Sequence, residues 1–222
     1  MRDADKRRAL KKEYEERLAA FQEKRLAALA TAGLTPPLHS TGRLSASHRN
    51  VTSVLDWFYG SGQDGVTLEP NSPFQCGGDW TLEQQQGFCD SFIRCSLLDA
   101  AKEIHLASCD WSWQRAPDAT LPANTLWVID GKQRLAALAK LAQGSILPMG
   151  LAWRDLAGTR YCNKAIFQRS VAHNLRIVIH ECQYVDQAAQ LYLELNAGVM
   201  RTQAELQLAR DYAQGKLALP RT

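Results

Sequence analysis

The sequence predicts an α+β fold in which helices pack around a small mixed β-sheet. Segments with helical hydrophobic spacing outweigh the β-like segments along the 222-residue chain. The β-like segments are also too few for a doubly wound sheet. An apolar content of 45% and a charged content of 22% are ordinary for a soluble globular protein, and the length suits one large domain or two small ones.

The segment of residues 127–138 is the clearest structural signal in the chain. Apolar, β-favouring residues run into Asp130-Gly131, and helical spacing of leucine and alanine begins directly after them. Gly144 lies where a glycine commonly ends a helix. The segment therefore predicts a strand, a tight turn and the first turns of a helix.

The start of this helix is suited to an anion. Its first backbone N–H groups have no partner within the helix, and the helix dipole is positive there. Lys132 and Arg134 add two cations, which are unfavourable at that end unless an anion binds. A phosphate would resolve the conflict. The alternative is an ordinary strand–helix joint with Asp130 as N-cap and two solvated charges.

Periodicity and capping signals predict the other elements. Helices are expected over 48–59, from Thr81 onward, over 186–195 and from Thr202 to about 214, the second and last with capping boxes. Strands are expected at 66–69, 103–107, 146–153 and 174–181. A loop is expected over residues 108–123, and it carries Trp111 and Trp113. These tryptophans either cover the edge of the core or stack on a nucleic-acid base. Covering the core is the favoured interpretation.

Residues 1–32 differ from the rest of the chain in charge. They contain nine Lys and Arg against six Asp and Glu, a balance of +3 that equals the net charge of the whole chain. An apolar stripe at helical spacing predicts a long amphipathic helix. Packing on the main domain is its first expected role, followed by self-association as a helical pair and by an arm for nucleic acid.

Gly33, Pro36 and Pro37 end this helix and begin a linker. The predicted organisation is an N-terminal helix with its linker, a main domain and a short tail. Their boundaries are 1–46, 47–215 and 216–222.

Cysteine and histidine spacing predicts neither a metal centre nor a disulfide framework. The six cysteines contain no CxxC pair, and the five histidines form no HExxH pattern. The sequence shows no secretory signal and no apolar run of membrane length. We therefore expect a cytoplasmic protein with free thiols and no membrane partner.

Three motifs resemble the ParB/sulfiredoxin superfamily in the branch called domain of unknown function 262. Asp130–Leu135 resembles its DGQQRL signature. Residues 73–84 resemble its PFQRG…WT-x-EQ segment, and residues 193–198 with Thr202 resemble its RLN-x-G…LT element. The match spans roughly residues 48–212 in the family's order. That branch includes the S part of GmrSD-type restriction enzymes and many phage proteins, and it implies a ParB-like domain with a small mixed sheet.

The resemblance implies a nucleotide site at the central turn. The equivalent turn faces phosphates, and ParB proteins bind a nucleoside triphosphate there. Asp130 would orient an attacking or Mg²⁺-bound water, and Arg134 would neutralise developing phosphoryl charge. These two residues are the expected catalytic pair, and Mg²⁺ with a nucleoside triphosphate is the expected cofactor. The residues expected to line the nucleotide are Gln75, Gly131, Lys132, Gln133 and Asn196.

Three residues depart from the family pattern. Cys76 replaces the arginine of FQRG, Lys132 replaces the first glutamine of DGQQR, and Glu194 replaces the arginine of RLN. Lys132 also stands where sulfiredoxins have their cysteine, which argues against their chemistry. A lysine restores charge but not the two-pronged geometry of an arginine. Nucleotide binding is therefore expected to survive better than hydrolysis.

Three functional classes remain after the sequence analysis. The first is a nucleotide-binding protein, with weak nucleoside triphosphate hydrolysis, acting in DNA-related processes such as restriction, modification or phage counter-defence. The second is a catalytically degraded phage-type adaptor, and the third is a DNA-nicking ParB-like nuclease. Expected partners are the nucleotide, DNA or a DNA-processing protein, and a second copy through the N-terminal helix. A phage-encoded chain would act in the host cytoplasm.

Overall fold

The computed structural model describes residues 44–60, 65–75, 79–111, 115–197 and 203–217, all within one compact unit, Gly42–Thr222. The strands are β1 Leu44–Arg49, β2 Thr67–Glu69, β3 Glu103–Ser108, β4 Thr125–Asp130 and β5 Leu175–Glu181. The helices are α1 Val51–Phe58, α2 Leu82–Ile93, α3 Lys132–Ala142, α4 Val185–Leu195 and α5 Gln203–Ala213. Short helical turns are Asp99–Lys102, Pro148–Gly150, Ala165–Arg169 and Val171–His173. The predicted helix at 1–32 lies outside the described residues.

The strands form one mixed sheet in the order β1-β5-β3-β4-β2. Strand β5 is antiparallel to β1 and parallel to β3, while β4 is antiparallel to β3 and parallel to β2. The α+β class and the small mixed sheet predicted from the sequence are therefore confirmed.

Hydrophobic side chains cover both faces of this sheet. Side chains alternate along a strand, so Val128 of β4 joins one buried cluster and its neighbours Trp127 and Ile129 join the other. The first cluster contains the apolar faces of α1, α2 and α3. The second contains Phe74 and the apolar faces of α4 and α5. The end of β4, where the predicted site begins, is thus fixed from both sides.

The first strand differs from the elements that the sequence predicts at residues 44–49. The sequence predicts a linker to about residue 46 and a helix from 48, but Leu44–Arg49 forms β1 at the edge of the sheet. This segment lacks apolar alternation because an edge strand can be held by backbone pairing alone, here with β5. Helix α1 begins only at Val51, where the Asn50 side chain accepts a hydrogen bond from the N–H of Ser53 at 2.9 Å.

The predicted strand at 146–153 is wrong. The chain instead makes a 3-10 turn at Pro148–Gly150, with positive φ at Met149 and Gly150. Pro148 has no N–H to donate to a strand partner, and the N–H of Met149 donates to the Asp90 carboxylate of α2 at 2.7 Å. The apolar residues here pack a turn against the first buried cluster. Hydrophobic periodicity alone does not distinguish such a turn from a strand.

Trp111 packs on the first buried cluster. Its ring meets that of Trp57 edge-on, with centroids 5.9 Å apart. The favoured core-covering role is therefore confirmed for Trp111, while Trp113 lies outside the described residues. Among the helices of the described part of the chain, none combines the length and the apolar character needed to cross a bilayer.

Candidate functional site

Glycine is required at the turn between β4 and α3. Gly131 has φ of 102°, in the region that L side chains rarely adopt. A Cβ on Gly131 would lie 2.4 Å from Ile104 Cδ1 and 3.4 Å from Ile104 Cα. Strand β3 therefore packs directly against the turn, and both backbone conformation and space exclude a side chain.

Helix α3 begins without a side-chain cap. Its N-cap is Gly131, whose carbonyl accepts from the N–H of Leu135 at 2.9 Å. Asp130, the alternative N-cap from the sequence, directs its carboxylate to Arg134 instead. The first turn of α3 is therefore open to an acceptor from outside the helix.

Arg134 is held inside the protein. Its guanidinium forms an ion pair with Asp130 and donates to the backbone carbonyls of Ala100 and Glu103. The Arg134 side chain is 15% exposed and that of Asp130 is 33% exposed. The pair ties the start of α3 to the start of β3. A phosphate would have to draw the guanidinium away from these acceptors before contacting it.

Lys132 differs from Arg134 in that its ammonium group is available to contact a ligand. Its side chain is partly exposed, and it has no hydrogen bond or ion pair with any described residue. It stands in the first turn of α3, where a positive charge opposes the helix dipole. Charge compensation at this turn therefore favours a bound anion beside Lys132.

Two glutamines join the PFQ segment to the central turn. The Gln75 amide donates to the carbonyls of Val128 and Ile129 at 2.8 and 2.6 Å. The Gln133 amide oxygen accepts from the N–H of Trp80 at 3.1 Å, and its nitrogen donates to Asp79 at 3.2 Å. Two motifs that are more than fifty residues apart in sequence thus meet at this end of β4. Cys76 lies outside the described residues.

Asn196, the remaining residue expected to line the nucleotide, lies at the C-terminal end of α4. It follows α4, is 4% exposed, and its amide donates to the Tyr192 carbonyl at 2.8 Å. The Tyr192 ring lies 5.8 Å from that of Phe74, the neighbour of Gln75. Glu194, where the motif resemblance leads us to expect an arginine, accepts from Gln190 within α4 at 3.1 Å. Gly198 and Thr202 of this motif lie outside the described residues.

A polar network beside the turn was not predicted. His105 and His180 stack, with Nδ1 and Nε2 2.9 Å apart, and the Glu103 carboxylate contacts both His105 Nε2 at 3.2 Å and Arg176 at 2.6 Å. Burial lowers the pKa of His105, against the opposing effect of the Glu103 charge. These residues meet because β3 and β5 are parallel neighbours, a register that the sequence pattern does not encode.

The described residues contain no group of three or more His, Cys, Asp or Glu side chains arranged to hold a metal ion. Comparisons of the chain with protein-family models, with curated proteins and with solved structures find no match. The ParB-like assignment therefore stays a prediction from the motifs, and a function has to be argued from the geometry at Gly131.

Proposed function

We propose that this chain is a ParB-like nucleotide-binding protein that holds the phosphates of a nucleoside triphosphate at the Asp130–Arg134 turn. The observation that carries the proposal is the uncapped start of α3 at Gly131, with Lys132 beside it. Backbone N–H groups and the positive end of the dipole attract phosphate there. The bound anion also neutralises a cation that the helix start otherwise disfavours.

The other predicted residues support this site in different ways. Lys132 supplies a point charge to the phosphates, and Gly131 keeps the turn clear of a side chain. Gln75 and Gln133 hold residues 74–75 and 79–80 against the turn. Asn196 is expected on the neighbouring wall, which Tyr192 and Phe74 bring close.

One carboxylate at the turn fits a Mg²⁺–nucleotide complex. Mg²⁺ in nucleotide sites is bound by one or two carboxylates, by phosphate oxygens and by retained waters. Asp130 is a third exposed and presents such a carboxylate beside the helix start. When bound, Mg²⁺ would neutralise phosphate charge.

Binding is better supported than hydrolysis. Asp130 and Arg134, the expected catalytic pair, are bonded to each other and to the start of β3. An Asp130 that retains this ion pair is poorly placed to orient an attacking water. This favours the second candidate function, a phage-type adaptor that binds its ligand without turnover. DNA or a DNA-processing protein is the proposed partner in either case.

Calorimetry with each ribo- and deoxyribonucleoside triphosphate and Mg²⁺ tests the binding proposal. Lys132→Ala should weaken binding about tenfold, as expected for one charge-assisted hydrogen bond. Lys164→Ala removes the same charge from an exposed lysine on another segment and should leave affinity unchanged. Wild-type protein that shows neither heat nor thermal shift at millimolar nucleotide would reject the proposal.

Phosphate release separates the two candidate functions. A bound nucleoside triphosphate that stays intact supports the adaptor, whereas release that depends on both Asp130 and Arg134 supports the enzyme. Variants Asp130→Asn and Arg134→Lys, each checked for folding, provide the comparison.

A further inference from the structure

A surface groove crosses the end of the sheet at which β1 stops and β3 and β5 begin. Two cavities, of about 460 Å³ and about 290 Å³, form this groove. Both cavities are lined by His48, Val171 and Asn174, so they adjoin each other. The larger lies between the end of β1 and the turn Ala165–Arg169, and the smaller extends to the turn Asp99–Lys102.

Positive charge is concentrated in the groove. Its lining contains a single carboxylate, that of Asp99, among the described residues. The Lys and Arg residues that line it are Arg49, Lys102, Arg169 and Arg176. The chain after residue 32 contains 17 Lys and Arg against 17 Asp and Glu, so its net charge is zero. The excess of cations here therefore arises from the fold and not from the composition.

Two guanidinium groups in the larger cavity are available to a ligand. The Arg169 side chain is exposed and has no hydrogen bond or ion pair with any described residue. The Arg49 guanidinium lies over the Trp57 ring, 4.8 Å from its centroid, and Trp57 is 3% exposed. Stacking on a fixed ring orients Arg49 while its N–H groups stay free to donate at the edge of the guanidinium plane.

The other two cations are paired with carboxylates. Arg176 contacts Glu103 at 2.6 Å, and Lys102 contacts Asp99 at 3.0 Å. The Arg176 side chain is still 43% exposed, and a guanidinium has five N–H donors. Arg176 can therefore contact an anion in the groove without leaving Glu103.

Contacts between distant segments fix the walls of the groove. His48 is directly opposite Arg176 in the antiparallel pairing of β1 with β5. The Thr52 hydroxyl donates to the Phe167 carbonyl at 3.4 Å, which holds the turn Ala165–Arg169 against α1. Because folded elements already hold the cations apart, a ligand can bind with little reorganisation of the protein.

The arrangement of the cations fits a row of phosphates. They are distributed over two adjoining cavities, so they match successive groups of a polyanion better than one small anion. The described lining contains no Phe, Tyr or Trp, whereas proteins that hold single strands commonly stack bases on such rings. Asn50 and Gln168 add amide donors of the kind that contact phosphate oxygens in duplex DNA.

We propose that this groove binds the phosphate backbone of duplex DNA, with Arg49 and Arg169 as the main phosphate contacts and Arg176 as a third. The inference rests on the proposed function for its partner, DNA, and it assigns the surface that contacts it. None of the residues proposed to hold the nucleotide lines the groove. Backbone contacts carry no sequence information, so binding should depend on salt and not on base sequence.

Fluorescence anisotropy of a short labelled DNA duplex with the full chain tests the proposal. For the wild type, the logarithm of the association constant should fall with the logarithm of salt concentration with a slope of about −2 to −3. Arg169→Gln should weaken binding about fivefold at low salt and reduce this slope by about 1. Arg154→Gln should leave affinity unchanged, since this side chain is 89% exposed and lines neither cavity.

Insertion of a negative charge is the second variant. Val171 is 82% exposed and lines both cavities, so Val171→Asp should leave thermal unfolding unchanged. It should weaken DNA binding at least about tenfold, because the new carboxylate faces phosphates. If both groove variants bind like the wild type, the proposal is overturned. The same result is expected if the basic segment 1–32 carries the DNA affinity.

Competition identifies the class of partner. Unlabelled duplex DNA should displace the labelled duplex, whereas polyglutamate of equal total charge should not. Displacement by polyglutamate, or tighter binding of single-stranded than of duplex DNA, would overturn the proposal.

Nucleotide calorimetry on the wild type separates this inference from the proposed nucleotide site. Nucleotide binding without DNA binding would reject the groove alone. DNA binding that depends on Arg169 and Val171, without nucleotide binding, would support the groove and reject the nucleotide site.

Discussion

Helices α2 and α3 differ in what their first turns offer to the free backbone N–H groups and to the positive end of the helix dipole. At α2, the Thr81 hydroxyl accepts from the Gln84 N–H at 3.2 Å, and the Gln84 side chain accepts from the Thr81 N–H at 2.8 Å. Glu83 adds a negative charge to this first turn. At α3, the cap is Gly131 and the first residue is Lys132, so neither a capping side chain nor a favourable charge is present.

The difference separates a self-sufficient helix start from one that depends on the rest of the fold. Two residues three positions apart, Thr81 and Gln84, satisfy α2 locally as a capping box. The start of α3 is positioned by Ile104 against Gly131 and by Arg134 on the carbonyls of β3 and the preceding turn. These distant contacts hold the backbone at Gly131 in place, although no side chain caps the first turn of α3.

Replacing glycine in each helix region should give the largest contrast. Gly131→Ala should lower the free energy of unfolding by about 3 kcal/mol, because it combines backbone strain with a clash against Ile104. Gly87→Ala lies on the exposed face of α2 with no atom within 4 Å and should raise stability by about 0.5–1 kcal/mol. Urea unfolding measures both. Equal changes in the free energy of unfolding would contradict the inference that backbone conformation and contact with Ile104 exclude a side chain at Gly131.

Removing the side chain that secures each start should give the next largest contrast. Arg134→Ala should cost about 2 kcal/mol, since it leaves Asp130 without its ion pair and frees two carbonyl acceptors. Thr81→Ala should cost about 1 kcal/mol, the usual effect of losing an N-cap. Urea titrations at one salt concentration give the comparison. If Arg134→Ala proves neutral, the guanidinium is not the anchor of α3 and is available to a ligand after all.

The smallest contrast concerns charge at the two starts. Without ligand, Lys132→Ala should raise stability by about 0.3–0.5 kcal/mol, because it removes a cation from the positive end of a helix. Glu83→Ala should lower it by a similar amount, about 0.3–0.5 kcal/mol. Both differences should shrink in high salt. A loss of stability on Lys132→Ala would mean that this lysine has a partner within the protein.

Local signals explain which parts of the fold were predictable. The strand ending at Asp130, the helix from Lys132 and the capping box at Thr81 are each encoded in a few neighbouring residues, and the structure has all three. The edge strand at Leu44–Arg49 was missed because its stability comes from backbone pairing with a distant strand.

The site was predictable only in part for the same reason. The sequence places Lys132 and Arg134 together in one turn. It does not reveal that the Arg134 guanidinium donates hydrogen bonds to the carbonyls of Ala100 and Glu103. The basic groove is still more remote from sequence, because it joins the end of β1 to a turn more than a hundred residues later. Spacing along the chain carries no signal for such a groove.

The strand order has a consequence for how the chain assembles. Strand β5 lies between β1 and β3, and it is the sole sheet neighbour of β1 among the described strands. During synthesis, β1 therefore has no strand partner until β5 is made, more than a hundred residues later. One edge of β3 stays unpaired over the same interval. Contacts of such long sequence separation slow folding and leave strand edges open to other chains. Pairing of β5 with both β1 and β3 is thus the step that joins β1 to the rest of the sheet.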